Sequence, residues 1–222
     1  MPIAITDAIK TLAEAERRFG IARSEDLAFF PEWRSDLPEL TAAETMDLSE
    51  LRRRYLYQRS EGQLLEGTVT LLMVAPLLTA AGFYDPPFRV RAEESVQLDL
   101  GDHEDVLQGR IDVLVVLDQL WVVVLESKKT ALSVWAALPQ TLAYLMTNPR
   151  IDLPSFAIVT NGDEIFFVKL GIKLGQADSR SGRLSQRSYA VSRVFSPFAS
   201  GDELCGALQV LKGIGKVAIE LL

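Results

Sequence analysis

Histidine and cysteine are all but missing from this 222-residue chain, with His103 and Cys205 the sole examples of the two types. A disulfide framework needs cysteine pairs and a cysteine-based zinc site needs several thiolates, so both are excluded. One unpaired thiol fits a reducing cytoplasm. A Ser-His-Asp or Cys-His catalytic set would have to run through His103, which sits in the polar stretch Gly101-Asp102-His103-Glu104-Asp105 and reads as part of a solvated loop. Long apolar runs are lacking too. Val69 to Ala81 and Val113 to Leu125 are 13 residues each and are interrupted by Thr70, Pro76 and Asp118-Gln119, whereas a bilayer span needs about 20. No basic segment followed by an apolar run appears at Met1-Pro2-Ile3-Ala4, so no secretory signal is expected. Positive charge is in deficit, 23 Lys and Arg against 30 Asp and Glu for a net −7. That balance argues against a chain that coats nucleic acid indiscriminately and directs attention to local basic clusters.

What is present is a core: 48% of the residues are hydrophobic, ample for one domain of this length. Ile5, Ile9, Leu12 and Phe19 fall at helical spacing with Gly20 as a stop, and Phe29 to Pro38 reads as a linker. Helices are expected over Ala42–Tyr57 and over Gly62–Ala81, the second capped by Gly82. After Pro86-Pro87 the period shortens to two, and three strands are expected: Phe88 to Leu98, Leu107 to Leu117 and Leu120 to Leu125. The last two are apolar throughout, which implies central places in a sheet. A helix over Ser133–Met146 starts or breaks at Pro139, and Phe156–Val159 and Glu164–Leu170 flank Asn161-Gly162, a type I′ hairpin signal. Gln176 to Arg193 reads as a mobile basic loop, and Glu203 to Leu222 as a closing helix bent at Gly213 and Gly215. The order predicts an α/β fold with a mixed sheet covered by helices on both faces.

Asp112 and Glu126 are acids placed inside strands that otherwise call for burial. Two carboxylates about 4 Å apart at an effective dielectric near 20 repel by roughly 4 kcal/mol, so an unbalanced pair is unstable there. Glu126 and Lys128 are two residues apart on one strand and so share a face, while Ser127 and Lys129 take the other. Such a set suits a hard divalent cation held by carboxylate oxygens, with an ammonium beside the water that the ion acidifies. Phosphodiester cleavage needs those parts.

Gly109-Arg110-Ile111-Asp112, thirteen intervening residues, then Glu126-Ser127-Lys128 resembles the PD-(D/E)XK nuclease superfamily. Gln140-Thr141-Leu142-Ala143-Tyr144 matches the Gln-x-x-x-Tyr signature of its RecB-like and type I restriction branches, and Leu64-Leu65-Glu66-Gly67 puts an acid on the helix before the sheet. With Val159-Thr160-Asn161-Gly162 before an aromatic strand, the chain is similar to the N-terminal nuclease region of type I restriction motor subunits. Ile111 replaces the proline of the family name, and no motor motif follows.

The resemblance implies a restriction-endonuclease-like mixed β-sheet flanked by helices. A helical extension over residues 1–60 would pack on a nuclease-like domain over residues 61–222. It implies a cytoplasmic, Mg²⁺-dependent endonuclease acting on DNA, with RNA still open as a substrate. Asp112, Glu126 and Lys128 would be catalytic, and Asp112, Glu126, Glu66 and the Ser127 carbonyl would hold metal. Gln140 and Tyr144 would position substrate. A homo-oligomer and separate motor and specificity subunits are both open as partners. Outside the motif, Arg52-Arg53-Arg54 and the loop bearing Arg180, Arg183 and Arg187 are basic enough to contact phosphates. Two other readings stand beside the nuclease: a nucleic-acid-binding module that keeps the fold without cutting, and an assembly protein whose charges form a buried ion-pair network. Leu211 to Ala218 only faintly matches a helix-hairpin-helix, because Ile219 to Leu222 leave too little chain for its second helix.

Overall fold

The computed structural model describes residues 3–99, 106–117, 120–127, 130–173 and 186–221, with the backbone alone at 99, 120, 122–127, 173 and 186. One mixed sheet organises it. Its strands are β1 (Ile3–Ala4), β2 (Ala22–Arg23), β3 (Arg89–Asp99), β4 (Val106–Leu117), β5 (Leu120–Ser127), β6 (Ser155–Thr160), β7 (Ile165–Lys173) and β8 (Gln186–Val191). The order across the sheet is β1-β4-β5-β6-β7-β8-β2, with β3 also paired to β4. β1 with β4, β5 with β6 and β2 with β8 run parallel, and the other pairs are antiparallel.

The helices are α1 (Ile5–Ala8), α2 (Leu12–Phe19), α3 (Ala42–Ser60), α4 (Glu66–Val69), α5 (Ala75–Ala80), α6 (Leu138–Met146) and α7 (Asp202–Glu220). They divide between two cores. Leu48, Leu51 and Tyr55 of α3, Val69 of α4, Leu77 and Leu78 of α5 and Leu204 to Ala218 of α7 pack on one face with Val113, Val115, Phe156 and Phe167. Ile5, Ala15, Leu142 and Tyr144 of α1, α2 and α6 pack on the other face with Leu114, Val116, Ala157 and Phe166. The helix-flanked mixed α/β architecture is the one expected.

Several local expectations are corrected. The N-terminal segment is not one helix: Ile3–Ala4 pairs with Leu107–Gln108 of β4 before α1 begins, and Ala22–Arg23 pairs with β8, so residues 1–60 supply two strands of the sheet as well as helices. The stretch around Pro31 is no bare linker, since Pro31–Trp33 forms a 3₁₀ turn with Phe30 and Glu32 buried. Between α4 and α5 the backbone widens into a π turn over Thr70–Val74. Pro76 follows at once, and a proline lacks the N–H an α-helix needs, so a locally widened turn absorbs the missing bond. The hairpin after β6 is a four-residue loop, because Thr160 pairs with Ile165. Of its residues Gly162 alone has positive φ, 88°, and the Asn161 side chain accepts from the Glu164 N–H at 2.9 Å, so this is no type I′ turn. Part of the basic loop is strand β8, and α7 runs unbroken through Gly213 and Gly215, which excludes the helix-hairpin-helix. Those glycines serve packing instead: a Cβ on Gly213 would sit 3.3 Å from the Glu32 carbonyl, and one on Gly215 would sit 3.3 Å from the Phe83 ring.

Candidate active site

β4 is long enough to carry different partners along one edge. β3 follows the other edge from Val106 to Val116, so β1 and β5 must share the remaining one. β1 pairs at Leu107 and Gln108, and β5 pairs from Val113 onward. Gly109 to Asp112 fall in the gap between them. The strand is also irregular there: Ile111 and Leu114, three residues apart, pack into the same core, so the two-residue alternation breaks at Asp112–Val113. Across from the break, Glu93 of β3 has φ 54°, a left-handed conformation that a non-glycine residue rarely adopts.

A cleft of about 570 Å³ opens at this gap, and Glu66, Gln108, Gly109, Arg110, Asp112, Gln140 and Tyr144 line it with the turn Ala4 to Thr6. Three elements far apart in sequence therefore converge: the first residue of α4, the broken stretch of β4 and one face of α6. Asp112 and Glu66 are each half-buried. Val113 lies opposite Leu125, so Asp112 and Glu126 are the next positions along the two paired strands. Glu126 itself pairs with Val159 of β6, and Ser127 pairs with Thr160.

On α6, Gln140 and Tyr144 are one turn apart, and Gln140 Nε2 donates to the Tyr144 hydroxyl at 2.7 Å. Tyr144 is 2% exposed and lies against the β4 backbone at Gly109. A Cβ there would come within 2.6 Å of Tyr144 Cε1 and 2.9 Å of Ile5 Cδ1. Sequence reasoning gave Gly109 no role, although a glycine inside an apolar strand signals the close approach of another group. Arg110, also without an assigned role, is exposed at the cleft rim, 3.6 Å from Glu93.

Reciprocal hydrogen bonds tie the segment before Glu66 to the segment after β5. The Leu64 N–H donates to Thr130 Oγ1 at 3.0 Å, and the Thr130 N–H donates to the Leu64 carbonyl at 3.3 Å. Asn161 Nδ2 then donates to the Leu132 carbonyl at 2.8 Å and fixes the same connection to the β6–β7 loop.

Not every candidate residue joins the cleft. Lys128, Lys129, Arg180, Arg183 and His103 lie outside the described residues, and for Glu126 and Ser127 only the backbone is described. Arg187 pairs with Ile172, beyond the pairing of Leu170 with Ser155, whereas Ser127 pairs with Thr160 at the opposite end of β6. Arg187 is thus at the far end of the sheet from Glu126. Its Nη1 contacts Met146 Sδ at 3.2 Å, its Nε is buried without a partner, and burial pushes its pKa down. Arg53 and Arg54 make exposed pairs with Glu50 at 2.7 and 2.9 Å, while Arg52 donates to the Pro197 and Phe198 carbonyls, so of that basic run Arg52 is engaged within the fold.

The cleft's donor set suits a hard cation: Glu66 and Asp112 supply oxygen, and among the described residues no thiol or imidazole lines it. Among the described residues no three His, Cys, Asp or Glu side chains form a metal cluster, and Glu126, beside Asp112 in the strand pairing, is described in its backbone alone. No helix among the described residues is long and apolar enough to cross a membrane.

No family model and no curated protein matches the chain. Among solved structures it is similar to a fragment assigned as an HsdR subunit of a type I restriction enzyme from Vibrio vulnificus, at 21% identity and a TM-score of 0.36. The match covers 65% of this chain and 26% of that one.

Proposed function

We propose that this chain is a Mg²⁺-dependent phosphodiester hydrolase, a restriction-type endonuclease of the PD-(D/E)XK kind acting on DNA. The observation that carries the reading is the convergence of Glu66, Asp112, Gln140 and Tyr144 on one cleft at the gap in the β4 edge, with the Glu126 backbone next to Asp112 in the strand pairing. The motif residues are scattered over 79 positions, and an accidental motif would have no reason to assemble.

Glu66, Asp112 and Glu126, with the Ser127 carbonyl, would hold the ion. When bound, Mg²⁺ polarises the phosphate and lowers the pKa of a coordinated water. Lys128, two residues beyond Glu126, orients the attacking water and stabilises charge that develops on the phosphate oxygens. Gln140 holds the Tyr144 hydroxyl, and together they keep the cleft wall in place beside the scissile group. Arg110 at the rim offers a phosphate contact. Arg180 and Arg183 would add phosphate contacts to a bound duplex, and so would Arg187 where the duplex is long enough to reach the far end of the sheet.

The test is supercoiled-plasmid nicking together with thermal melts with and without Mg²⁺. Wild type should nick and gain stability from Mg²⁺. Lys128→Ala should lose about 10²–10³ in rate, as when one electrostatic contact to a transition state is removed, yet keep the metal-dependent melting shift. Asp112→Ala and Glu126→Ala should lose both. No nicking and no melting shift in wild type, with all three variants destabilised, would assign the charges to a structural ion-pair network.

A further inference from the structure

A second cleft, of about 350 Å³, lies on the other side of the first turn of α6. Leu138 and Pro139 line it, whereas Gln140 and Tyr144 line the candidate active site. The segment from Ile5 to Leu12 likewise begins in the active-site wall and ends in this one, so the two clefts are neighbours.

Trp135 is the one aromatic residue among the described residues lining the second cleft. Its ring is stacked on Phe166, with centroids 4.5 Å apart and planes 16° from parallel. Phe166 is fully buried, while Trp135 is 44% exposed. The indole is therefore held flat against the core by one face and open to the cleft by the rest. A large apolar ring exposed singly needs no explanation, but one pre-oriented in a concave site is a ready stacking surface.

The charged residues lining this cleft are Lys10 and Arg23, both cationic in a chain of net charge −7. Arg23 pairs at 3.3 Å with Glu25, which is 84% exposed, so that pair is weak and readily exchanged. Glu14 accepts from the Lys10 backbone N–H and pairs with Arg18, and the Lys10 ammonium is in no ion pair among the described residues. A flat π surface flanked by cations fits one ligand chemistry: a nucleobase stacked on the ring with its neighbouring phosphates on the cations.

We propose that this cleft is a nucleotide subsite for single-stranded nucleic acid, with a base on Trp135 and phosphates on Lys10 and Arg23. The inference deepens the nuclease reading and rests on it: one strand leaving the active site past α6 would enter the second cleft, so the enzyme would engage an unpaired end or a locally opened strand.

The experiment measures binding of a fluorescein-labelled oligothymidylate and of a duplex of equal length by anisotropy, in chelator so that no cleavage occurs. Trp135→Ala should weaken single-strand binding about 5- to 100-fold, as expected for removal of one base stack, with a smaller effect on duplex. Trp135→Phe keeps the packing on Phe166 and should retain most of the affinity. The Lys10→Gln, Arg23→Gln double variant should flatten the salt dependence by roughly 0.7 log-log units for each phosphate it no longer neutralises. Oligothymidylate should also quench tryptophan emission in wild type and not in Trp135→Phe. Unchanged affinity and salt slope in these variants, while wild type binds the strand, would overturn the subsite. Plasmid nicking without any single-strand binding would overturn it too and leave the nuclease reading standing. Binding that depends on Trp135 in a protein that never nicks would support the subsite and overturn the cleavage reading.

Discussion

At the scale of single residues, the candidate site depends on one missing side chain. Gly109 lets Tyr144 lie against β4, and Gly109→Ala would set a methyl 2.6 Å from that ring. The ring is buried and cannot swing into solvent, so it must shift and strain its bond to Gln140. Overpacking of this kind costs about 1–3 kcal/mol. A displacement near 1 Å beside reacting groups lowers turnover by on the order of 10². The expected result for Gly109→Ala is thus a modest fall in melting temperature with a large fall in nicking rate, read by calorimetry and plasmid assay. Asp112 and Glu126 were legible as candidates because acids interrupt apolar strands, and Gln140 and Tyr144 because they match the Gln-x-x-x-Tyr signature of the family that the sequence resembles. Gly109 stood out only as part of a motif, since what it accommodates comes from a helix 35 positions away.

At the scale of elements, the position of Glu66 depends on a strand connection rather than on its own short helix. Thr130 is 8% exposed, and its hydroxyl accepts the Leu64 N–H two residues before Glu66. Thr130→Val keeps the shape but leaves that buried donor unpaired, at a cost of about 1–3 kcal/mol. It should also reduce nicking by releasing the start of α4, and Thr130→Ser should restore both readouts, whereas a defect of packing alone would not be restored by the smaller residue. A second prediction concerns the joint between α3 and α7. Lys212 Nζ contacts Glu44 Oε1 at 2.5 Å, and Glu44 also completes the Thr41 capping box, so its pKa is lowered from 4.5 to about 2, first by the Lys212 hydrogen bond and then by the Thr41 N–H. A depressed folded-state pKa contributes stability that is full above the unfolded value and is lost as pH falls through the folded one. Acid titration of stability should therefore be less steep between about pH 4.5 and pH 2 in Lys212→Ala than in wild type.

At the scale of the whole molecule, a buried ion pair joins the N-terminal segment to the sheet. Lys169 of β7 reaches Glu32 in the 3₁₀ turn at 2.5 Å, with side chains 13% and 7% exposed, and the ammonium lies over the Phe29 and Phe156 rings. Glu32 Oε2 is buried and has no partner. Lys169→Met removes one charge and strands the other, which destabilises by about 3–5 kcal/mol; adding Glu32→Gln should recover most of it. Denaturant melts of the single and double variants measure the difference. The net charge of −7 acts at this scale as well. Neutralising Arg180, Arg183 and Arg187 together should lower the salt slope of duplex binding by roughly 0.9 log-log units for each phosphate left without its cation. An unchanged slope would leave these three arginines without a part in phosphate binding.

By itself the sequence determined what depends on neighbours along the chain. The switch from helical to two-residue period, the Gly20 and Gly82 stops and the apolar β4 and β5 all follow from local periodicity and backbone preference, and so the helix-flanked mixed sheet could be read from them. Tertiary structure alone decided what depends on partners remote in sequence. The pairing of Ile3–Ala4 with β4 and of Ala22–Arg23 with β8 had no local signal, because two-residue strands show no period. The gap that opens the cleft exists because the pairings of β1 and of β5 with β4 stop short of each other on a shared edge, and the placement of Arg187 at the far end of the sheet comes from strand order. Register and edge occupancy are properties of strand pairs rather than of strands. No single segment carries them, and they arise only when the whole sheet assembles.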